Sequence, residues 1–359
     1  MKKSFSDFFP LPQFLEMSPA GLAISDSSVH LVELVKKRHG LVLGKFGTMK
    51  IPAGAIKEGY INDKDAVVSV LKSLKQKLSI ESVSVSLPDE KAYLFTTKIP
   101  KSSGTDLRQA IEFRLEENVP LSEKDAVFDF AVMPNPADKD VLEVSVSVLP
   151  YKVSESYVDI VKLAGFEPMS LCLEAEALRR SVVPFGNLGT FMIVNVDENR
   201  TSLTITNRGV AQFNITVPSG GRAITAAIAK HLSVGIEEAV KIKEERGFVK
   251  NPSNVKLFVS VMDAVLPIKD EIGKLIMYWQ THKIFSNQNA GKIEKIILCG
   301  KDCNLVGFDD YISSSTKIPI EVANVWQNAF SYDDYVPNIS FNDSLDYASA
   351  VGLALKHKL

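Results

Sequence analysis

The sequence lacks a strong excess of either charge. Its 359 residues carry 41 Lys and Arg against 43 Asp and Glu, which gives a formal net charge of -2. A protein that binds nucleic acid needs a basic excess to neutralise phosphates, so this balance argues against a nucleic-acid partner. Hydrophobic residues make up 45% of the chain, as in ordinary globular proteins, and the length predicts at least two domains.

Long apolar runs and paired cysteines are also missing. No run of about 18 apolar residues occurs, so we expect no membrane-spanning helix. The cysteines at 172, 299 and 303 suggest neither a disulfide framework nor a zinc site, which favours a reducing cytoplasm. No histidines pair at metal-ligand spacing, and no Walker A, G-x-S-x-G or G-x-G-x-x-G motif occurs. The sequence therefore predicts neither a metal site nor a catalytic residue of these classes.

Residues 1–18 form a predicted N-terminal extension rich in large apolar side chains. Phe8, Phe9 and Leu11 are interleaved with Pro10 and Pro12. The prolines break any apolar helix, so we do not expect a signal peptide. Two interpretations remain, packing on the protein's own surface or contact with a partner or membrane, and the first is favoured because apolar residues usually bury on their own chain.

A three-stranded meander is predicted twice, about 170 residues apart. The first copy consists of the strands Leu22–Ile24, Val29–Leu34 and Leu41–Met49, with a polar turn at Ser25–Ser28. The second consists of the strands Phe191–Val196, Thr201–Thr206 and Val210–Val217, with a polar turn at Asp197–Arg200. Each copy closes on a Pro-x-Gly sequence, at Pro52 and Pro218, which makes a chance likeness less plausible.

Helical and strand patterns fill the rest of the chain. The predicted helices are Asp63–Leu78, Asp106–Asn118, Tyr151–Ala164, Ala175–Val183, Arg222–His231, Gly235–Arg246, Val255–Thr281, Leu305–Ile312 and Leu345–Leu355. The further predicted strands are Ser82–Leu87, Ala92–Ile99, Ala126–Val132, Leu142–Leu149 and Ile293–Leu298.

An ordered set of short segments carries a family resemblance. These are Gly21–Val29, Ala110–Phe113 before Val119-Pro120, Leu163–Pro168, Pro218–Gly221 with Thr225, Leu298–Gly300, and Tyr347–Ala354. In this order and spacing, the chain resembles the PilM branch of the actin/Hsp70/hexokinase superfamily from about residue 18 onwards.

The resemblance implies an α/β, actin-like (ribonuclease H-like) duplicated fold, with two lobes around a nucleotide cleft and a small inserted α+β subdomain. The implied divisions are an extension at 1–18, a first lobe at 19–189 with its inserted subdomain at about 101–150, a second lobe at 190–342, and a C-terminal helix at 343–359 that returns to the first lobe.

A cofactor site for ATP with magnesium is implied at the two turns and the helix starts near them. The candidate residues are Ser25, Asp26, Ser27, Ser28, Asn195, Asp197, Gly220, Gly221, Lys243, Gly300 and Lys301. The family normally has an acid at the end of the first strand of each unit, and here those positions hold Ala23 and Asn195. A charged Asp197 stands where the family has glycine, which would repel a phosphate.

These departures leave two interpretations of the cofactor site. In one, Asp26, Asp197 and Lys301 rebuild a binding site for ATP and magnesium. In the other, which the departures favour, hydrolysis has been lost and no catalytic residue remains, so the protein is not an enzyme.

The resemblance implies a cytoplasmic scaffold of type IV pilus assembly. It would bind a short N-terminal cytoplasmic peptide of a PilN-like inner-membrane protein, and so be peripheral to the membrane through that partner. Other pilus assembly proteins or further copies of the chain are additional candidate partners. The alternatives are an active ATPase or small-molecule kinase of the same superfamily, and a filament-forming protein similar to FtsA.

Overall fold

The computed structural model describes residues 19–38, 40–101, 106–134, 140–247, 255–281 and 291–355. The predicted N-terminal extension at 1–18 lies outside this described part of the chain.

The first lobe is built on a five-stranded sheet with the strand order β10-β6-β1-β2-β3. Its strands are β1 (Ala20–Ile24), β2 (Ser28–Lys37), β3 (Gly40–Lys50), β6 (Ser82–Leu87) and β10 (Glu167–Leu173). The first three form the predicted antiparallel meander, whereas β6 and β10 run parallel to β1. A two-stranded ribbon, β4 (Ile56–Lys57) with β5 (Tyr60–Ile61), follows β3.

Amphipathic helices cover both faces of this sheet. On one face lie α1 (Lys64–Leu78) and α3 (Tyr151–Leu163), whose buried residues share a core with β1 and β6. Asp63 caps α1 by accepting a hydrogen bond from the Ala66 amide, and a helix is expected to begin at such a residue. On the other face lie α4 (Glu174–Val182) and α10 (Ala348–Leu355).

Helix α10 packs very closely on its neighbours because its residues are small. A Cβ added at Gly21 of β1 would overlap the Ala350 carbonyl, and one added at Gly352 would overlap the Ala177 carbonyl. Gly21 and Gly352 therefore let the helix lie directly on β1 and α4.

The second lobe repeats the first sheet, with the strand order β13-β12-β11-β14-β15. Its strands are β11 (Thr190–Val196), β12 (Thr201–Asn207), β13 (Val210–Val217), β14 (Lys295–Cys299) and β15 (Ile320–Val322). Again three strands form an antiparallel meander and two are parallel to the first. The predicted internal repeat is confirmed as a duplication of the whole sheet.

Helices and short turns complete the second lobe. The helices are α5 (Gly221–Leu232), α6 (Ile236–Arg246), α7 (Val255–Thr281), α8 (Phe308–Thr316) and α9 (Phe341–Ser344). Short 3-10 helices lie at Asp89–Lys91, Glu123–Asp125, Lys301–Asn304 and Leu345–Tyr347.

A small subdomain is inserted between β6 and α3. Its antiparallel sheet has the order β7-β9-β8, with β7 (Tyr93–Pro100), β8 (Ala126–Val132) and β9 (Val141–Pro150). Helix α2 (Leu107–Asn118) packs Ile111 and Leu115 into the core of this sheet. The subdomain sheet thus begins at Tyr93, earlier than the boundary of about 101 that the sequence suggested.

Contacts with the second lobe hold the subdomain in place. Buried Glu143 of β9 pairs with Arg208, in the turn between β12 and β13. The Ser145 hydroxyl donates a hydrogen bond to the Ala211 carbonyl at 3.0 Å. The subdomain is therefore tied to the second lobe as well as to the first.

Candidate functional site

The interlobe cleft is defined here as the space between the β1–β2 turn, the β11–β12 turn and residues 345–349. The two turns contact each other, because the Asn199 side-chain amide donates a hydrogen bond to the Asp26 carboxylate at 3.1 Å. In the first turn, the Ser25 hydroxyl accepts hydrogen bonds from the Ser27 and Ser28 amides at 3.3 and 3.1 Å. This turn therefore satisfies its amides with its own serine.

Arg200 joins the two lobes from the end of the second turn. Its guanidinium forms ion pairs with Glu90 and Glu174 of the first lobe, the latter at 2.8 Å. The arginine side chain is only 8% exposed, and the two glutamates are 11% and 10% exposed. Asp197, at 3.9 Å from the Arg200 Nε, belongs to the same buried cluster.

Carboxylates outnumber cations in and around this cleft. The acids are Asp26, Asp89, Glu90, Glu174, Asp197, Asp302 and Asp346. Burial, followed by the charges of Asp197 and Asp89, raises the pKa of Glu174 well above its usual value. Burial also raises the pKa of Asp197 well above its usual value, with the charges of Asp346 and Asp26 adding to the effect. The cleft thus disfavours further negative charge.

Asp89 lies close to the start of α4 and is buried. Burial raises the pKa of this carboxyl to about 6. The backbone amides of Ala175 and Glu174 and the Arg200 charge oppose that rise, although no hydrogen bond of good geometry reaches the Asp89 oxygens. A helix N-terminus favours a carboxylate, but here the cost of burial is larger.

The N-terminus of α5 is covered by a carboxylate of the chain itself. A Cβ added at Gly221 would overlap the Asp302 carboxylate, so this glycine permits the close approach. Lys243 forms a buried ion pair with the same Asp302 carboxylate. Asp302 thus contacts both the start of α5 and Lys243. A helix start is a place where a phosphate oxygen would otherwise be favoured.

Glycines 220 and 300 also admit other parts of the chain. A Cβ at Gly220 would overlap the Asp197 carbonyl, and one at Gly300 would press on the Asn195 side-chain oxygen and the Val196 carbonyl. Gly300 has a φ of 85°, in the region that favours glycine. Lys301 follows it on the exposed surface.

The room left in the interlobe cleft is very small. A cavity lined by Ala23, Ser25, Glu174 and Asn195, among others, holds about 20 Å³ of space for water. That is enough for about one water molecule, whereas pockets for drug-sized ligands have volumes of roughly 300–1,000 Å³. This cavity is therefore much smaller than a pocket for a drug-sized ligand. Within the described residues, no group of three or more His, Cys, Asp or Glu side chains is placed to hold a metal ion.

A second and larger cavity, the subdomain groove, lies between the small subdomain and the first lobe. Its volume is about 250 Å³. The subdomain contributes Val127, Asp129, Ser147 and Leu149, and the first lobe contributes Leu171, Cys172, Glu176 and Arg180. Val127 and Leu149 pair across β8 and β9, as do Asp129 and Ser147, so both pairs point to the groove face of the sheet. Val127 and Leu149 thus form an apolar floor, and Asp129 and Ser147 form a more polar pair beside it.

Charged groups at the first-lobe side of the groove are paired with one another. Glu176 accepts hydrogen bonds from Arg179 and lies 3.4 Å from the Arg180 Nε. Arg180 also donates to the Cys172 sulfur at 3.5 Å. The wall that α4 contributes is therefore polar, and the charge of Glu176 is balanced by the arginines of the same helix.

Residues 21–358 match the family model for the type IV pilus assembly protein PilM. The chain belongs to the PilM family. Among solved structures, it is similar to a protein in a PilM-PilN type IV pilus biogenesis complex, with 18% identity, a TM-score of 0.75, and coverage of 95% of this chain and 98% of that one.

Two further solved structures show the same fold. The ethanolamine utilization protein EutJ from Carboxydothermus hydrogenoformans is 15% identical, with a TM-score of 0.53 and coverage of 94% of this chain and 89% of that one. MreB 5 of Spiroplasma citri bound to AMPPNP is 13% identical, with a TM-score of 0.54 and coverage of 94% and 95%. The predicted resemblance to PilM and the actin-like fold are confirmed.

The structure of this PilM-family chain brings most predicted cofactor residues to one place. Ser25, Asn195 and Asp197 line the small interlobe cavity, and Asp26 contacts the opposite turn. Gly221 and Lys243 meet at Asp302. The prediction that these residues bind a cofactor stays a prediction.

Sequence reasoning missed the residues that dominate the cleft. The sequence pattern places Arg200 only in a polar turn and gives no prominence to Glu174, Asp89, Glu90 and Asp302. Their partners are far apart in the chain, so no local spacing shows the pairing. The only sequence signal was the placement of Glu174 and Asp302 just after predicted strands or at helix starts.

No helix among the described residues is long and apolar enough to cross a bilayer.

Proposed function

We propose that this PilM-family chain is a cytoplasmic scaffold of a type IV pilus assembly machine. It binds a short N-terminal peptide of a PilN-like inner-membrane protein and is held at the membrane by that partner. The family match and the similarity to a protein in a PilM-PilN complex support a pilus assembly role with such a partner.

The subdomain groove is the observation that carries the proposal. It is the roomier of the two cavities, at about 250 Å³ against about 20 Å³. Its walls come from two sheets, β8 and β9 on one side and β6 and β10 on the other. An extended peptide that enters such a groove can place alternate side chains on the apolar floor at Val127, Leu149 and Leu171.

We further propose that the interlobe cleft has lost ATP hydrolysis. Phosphoryl transfer depends on a metal ion and on cationic groups that stabilise the negative charge of the transferred phosphoryl group. Ala23 supplies no ligand, and Asp302 occupies the start of α5 together with Lys243. The closed cleft is then maintained by the Arg200 ion pairs rather than by a nucleotide.

The test of peptide binding uses a synthetic peptide of the first residues of a PilN-like protein, labelled for fluorescence anisotropy. The Ser147→Arg variant places a long cation in the groove, and we expect it to weaken binding by 30-fold or more, about 2 kcal/mol. The matched control is Ser69→Arg on the exposed surface of α1, which should bind like wild type. Equal binding by both variants would refute the groove as the peptide site.

A further inference from the structure

The subdomain groove is bordered by β8, which is the outermost strand in the subdomain sheet order β7-β9-β8. An outermost strand has backbone N–H and C=O groups that no neighbouring strand bonds, and an extended peptide pairs with such groups. We propose that the partner peptide binds in the groove as a fourth strand of this sheet, beside β8, and that Asp129 pairs there with a basic side chain of the peptide. This inference rests on the proposed function and specifies how the peptide is held.

The register of β8 with β9 determines which backbone groups point away from the sheet. The Met133 N–H donates to the Glu143 carbonyl at 2.8 Å, in the register that continues from the two strands. Hydrogen-bonded and non-hydrogen-bonded pairs alternate in an antiparallel pair, so the odd-numbered residues of β8 bond β9. Pro150, which has no N–H, lies opposite Ala126, where none is needed. The residues whose N–H and C=O groups point outwards are therefore Ala126, Phe128, Phe130 and Val132.

Phe128 presents the open N–H group of this edge to the groove. The Ala126 N–H closes the 3-10 turn before β8, and the Phe130 N–H donates to the Asp129 carboxylate at 2.9 Å. The Phe128 ring packs on the subdomain core, with the Arg108 guanidinium 4.4 Å from the ring centroid, yet Phe128 also lines the groove on the other face of the sheet. The part of Phe128 that borders the groove is therefore its backbone.

Asp129 is the acid of the groove that keeps an unpaired charge. Among the described residues that line the groove, the acids are Asp129 and Glu176, and Glu176 is paired with the arginines of α4. The Asp129 Oδ1 accepts the Phe130 N–H, and no cation among the described side chains pairs with its Oδ2. Arg108, across the sheet from the groove, pairs instead with Glu112 at 3.5 Å. The β8 wall of the groove is therefore negatively charged.

Strand pairing determines which peptide residues meet this wall. Val127 and Asp129 point to the groove, and in the added pair they are the non-hydrogen-bonded residues, whose side chains approach their neighbours most closely. The two peptide residues opposite them are separated by a single residue. An apolar side chain of the peptide thus covers Val127, and a basic side chain two positions away pairs with Asp129.

The first measurement is hydrogen exchange of single amides, followed by NMR on the full-length protein isotopically labelled at phenylalanine. The probe is the synthetic peptide of the first residues of a PilN-like protein, at saturating concentration. We expect exchange of the Phe128 amide to slow by about tenfold or more, because the peptide now bonds it. The Phe130 amide, already bonded to Asp129, should change little. Unchanged Phe128 exchange with the peptide bound would overturn strand addition and leave the proposed function standing.

A second measurement uses peptides in which one backbone amide at a time is N-methylated. A strand paired with β8 donates from every second residue, so methylation should weaken binding by about tenfold at alternate positions and hardly at those between them. Fluorescence anisotropy measures the affinities. Equal loss at successive positions, or no loss at any, would overturn pairing with β8.

The Asp129→Asn variant tests the basic side chain, and it keeps an oxygen for the Phe130 N–H. We expect about threefold weaker peptide binding at low salt and no difference at high salt, as for an exposed ion pair. A peptide whose Lys and Arg residues are replaced by Gln should bind Asp129→Asn and wild type equally. The matched control is Glu117→Gln, which removes one charge from an exposed position of α2 in the same subdomain.

The outcomes separate this inference from the proposed function. Equal weakening by Asp129→Asn and Glu117→Gln would overturn the role of Asp129 in pairing with the peptide. A peptide that binds neither wild type nor the variants would overturn the proposed function, and strand addition with it. A peptide that binds wild type and is weakened by Ser147→Arg, but leaves the Phe128 amide unprotected, would overturn strand addition alone.

Discussion

The interlobe cleft and the subdomain groove border the same first lobe but are built in opposite ways. The cleft has room for about one water molecule, and the acids Glu174 and Asp197 that line it lie beside the buried Arg200. The groove is lined mainly by apolar and uncharged side chains and has a volume of about 250 Å³. The difference teaches that, in one fold, a cleft between two lobes can be filled by the chain's own side chains while a groove beside it stays open.

The largest expected effect is on stability, from removing the cation of the cleft. Arg200→Met leaves Glu90 and Glu174 buried without their partner, and breaking a buried pair in this way costs about 3–5 kcal/mol. Urea denaturation would measure the loss. The matched control is Arg222→Met, whose ion pair with Glu198 is exposed, and we expect it to cost less than about 1 kcal/mol. Similar losses in both variants would show that the cleft does not depend on its buried cation.

The next effect is a pH dependence of stability that arises from the buried acids of the cleft. Because the folded pKa of Asp89 is about 6 and the unfolded value is about 3.9, its protonated form favours folding. Its contribution is fully present below the unfolded pKa and is lost as the pH rises through about 6. Glu174 and Asp197 act in the same direction.

The Asp89→Asn variant tests this pH dependence by removing the ionisation. Between pH 4.5 and pH 7, the free energy of unfolding of the variant should rise relative to wild type by about 2 kcal/mol. Urea titrations at the two pH values measure it. A difference between the two proteins that stays constant with pH would contradict the prediction.

The smallest expected effect is that of nucleotide. A ligand present at 100 times its dissociation constant stabilises a protein by about 2.7 kcal/mol. With 1 mM ATP and magnesium, we expect no shift in melting temperature beyond that given by magnesium alone. A stabilisation of that size would contradict the contrast between a closed cleft and an open groove. The cleft would then have to open to admit ATP, and Asp302 would have to leave the start of α5.

The sequence allowed the fold to be predicted further than the site. Regular apolar alternation and helical spacing gave both meanders and nearly all the described helices. Strand β10 was missed because exposed Glu167 and Met169 and the proline between them do not read as a buried strand. Strand β15 has only three residues, Ile320–Val322, which is too short for a periodic signal.

The side-chain contacts inside the cleft are harder to predict from the sequence, because they join residues that are far apart in the chain. The turns and the glycines that flank the cleft were predicted from local order. The pairing of Arg200 with Glu90 and of Lys243 with Asp302 depends on how the two lobes meet, and a solvated turn arginine has the same local sequence as a buried one.

The close packing of α10 on β1 and α4 has a consequence for biosynthesis. Gly21 meets Ala350 and Gly352 meets Ala177 only once α10 has been made, so the part of the first sheet beside α4 that α10 covers stays open until residue 355. At about 5–20 residues per second, translation from β1 to α10 takes roughly 20–60 s. During that interval the nascent first lobe exposes apolar surface, and any stop or frameshift that removes its final turns would leave that surface exposed.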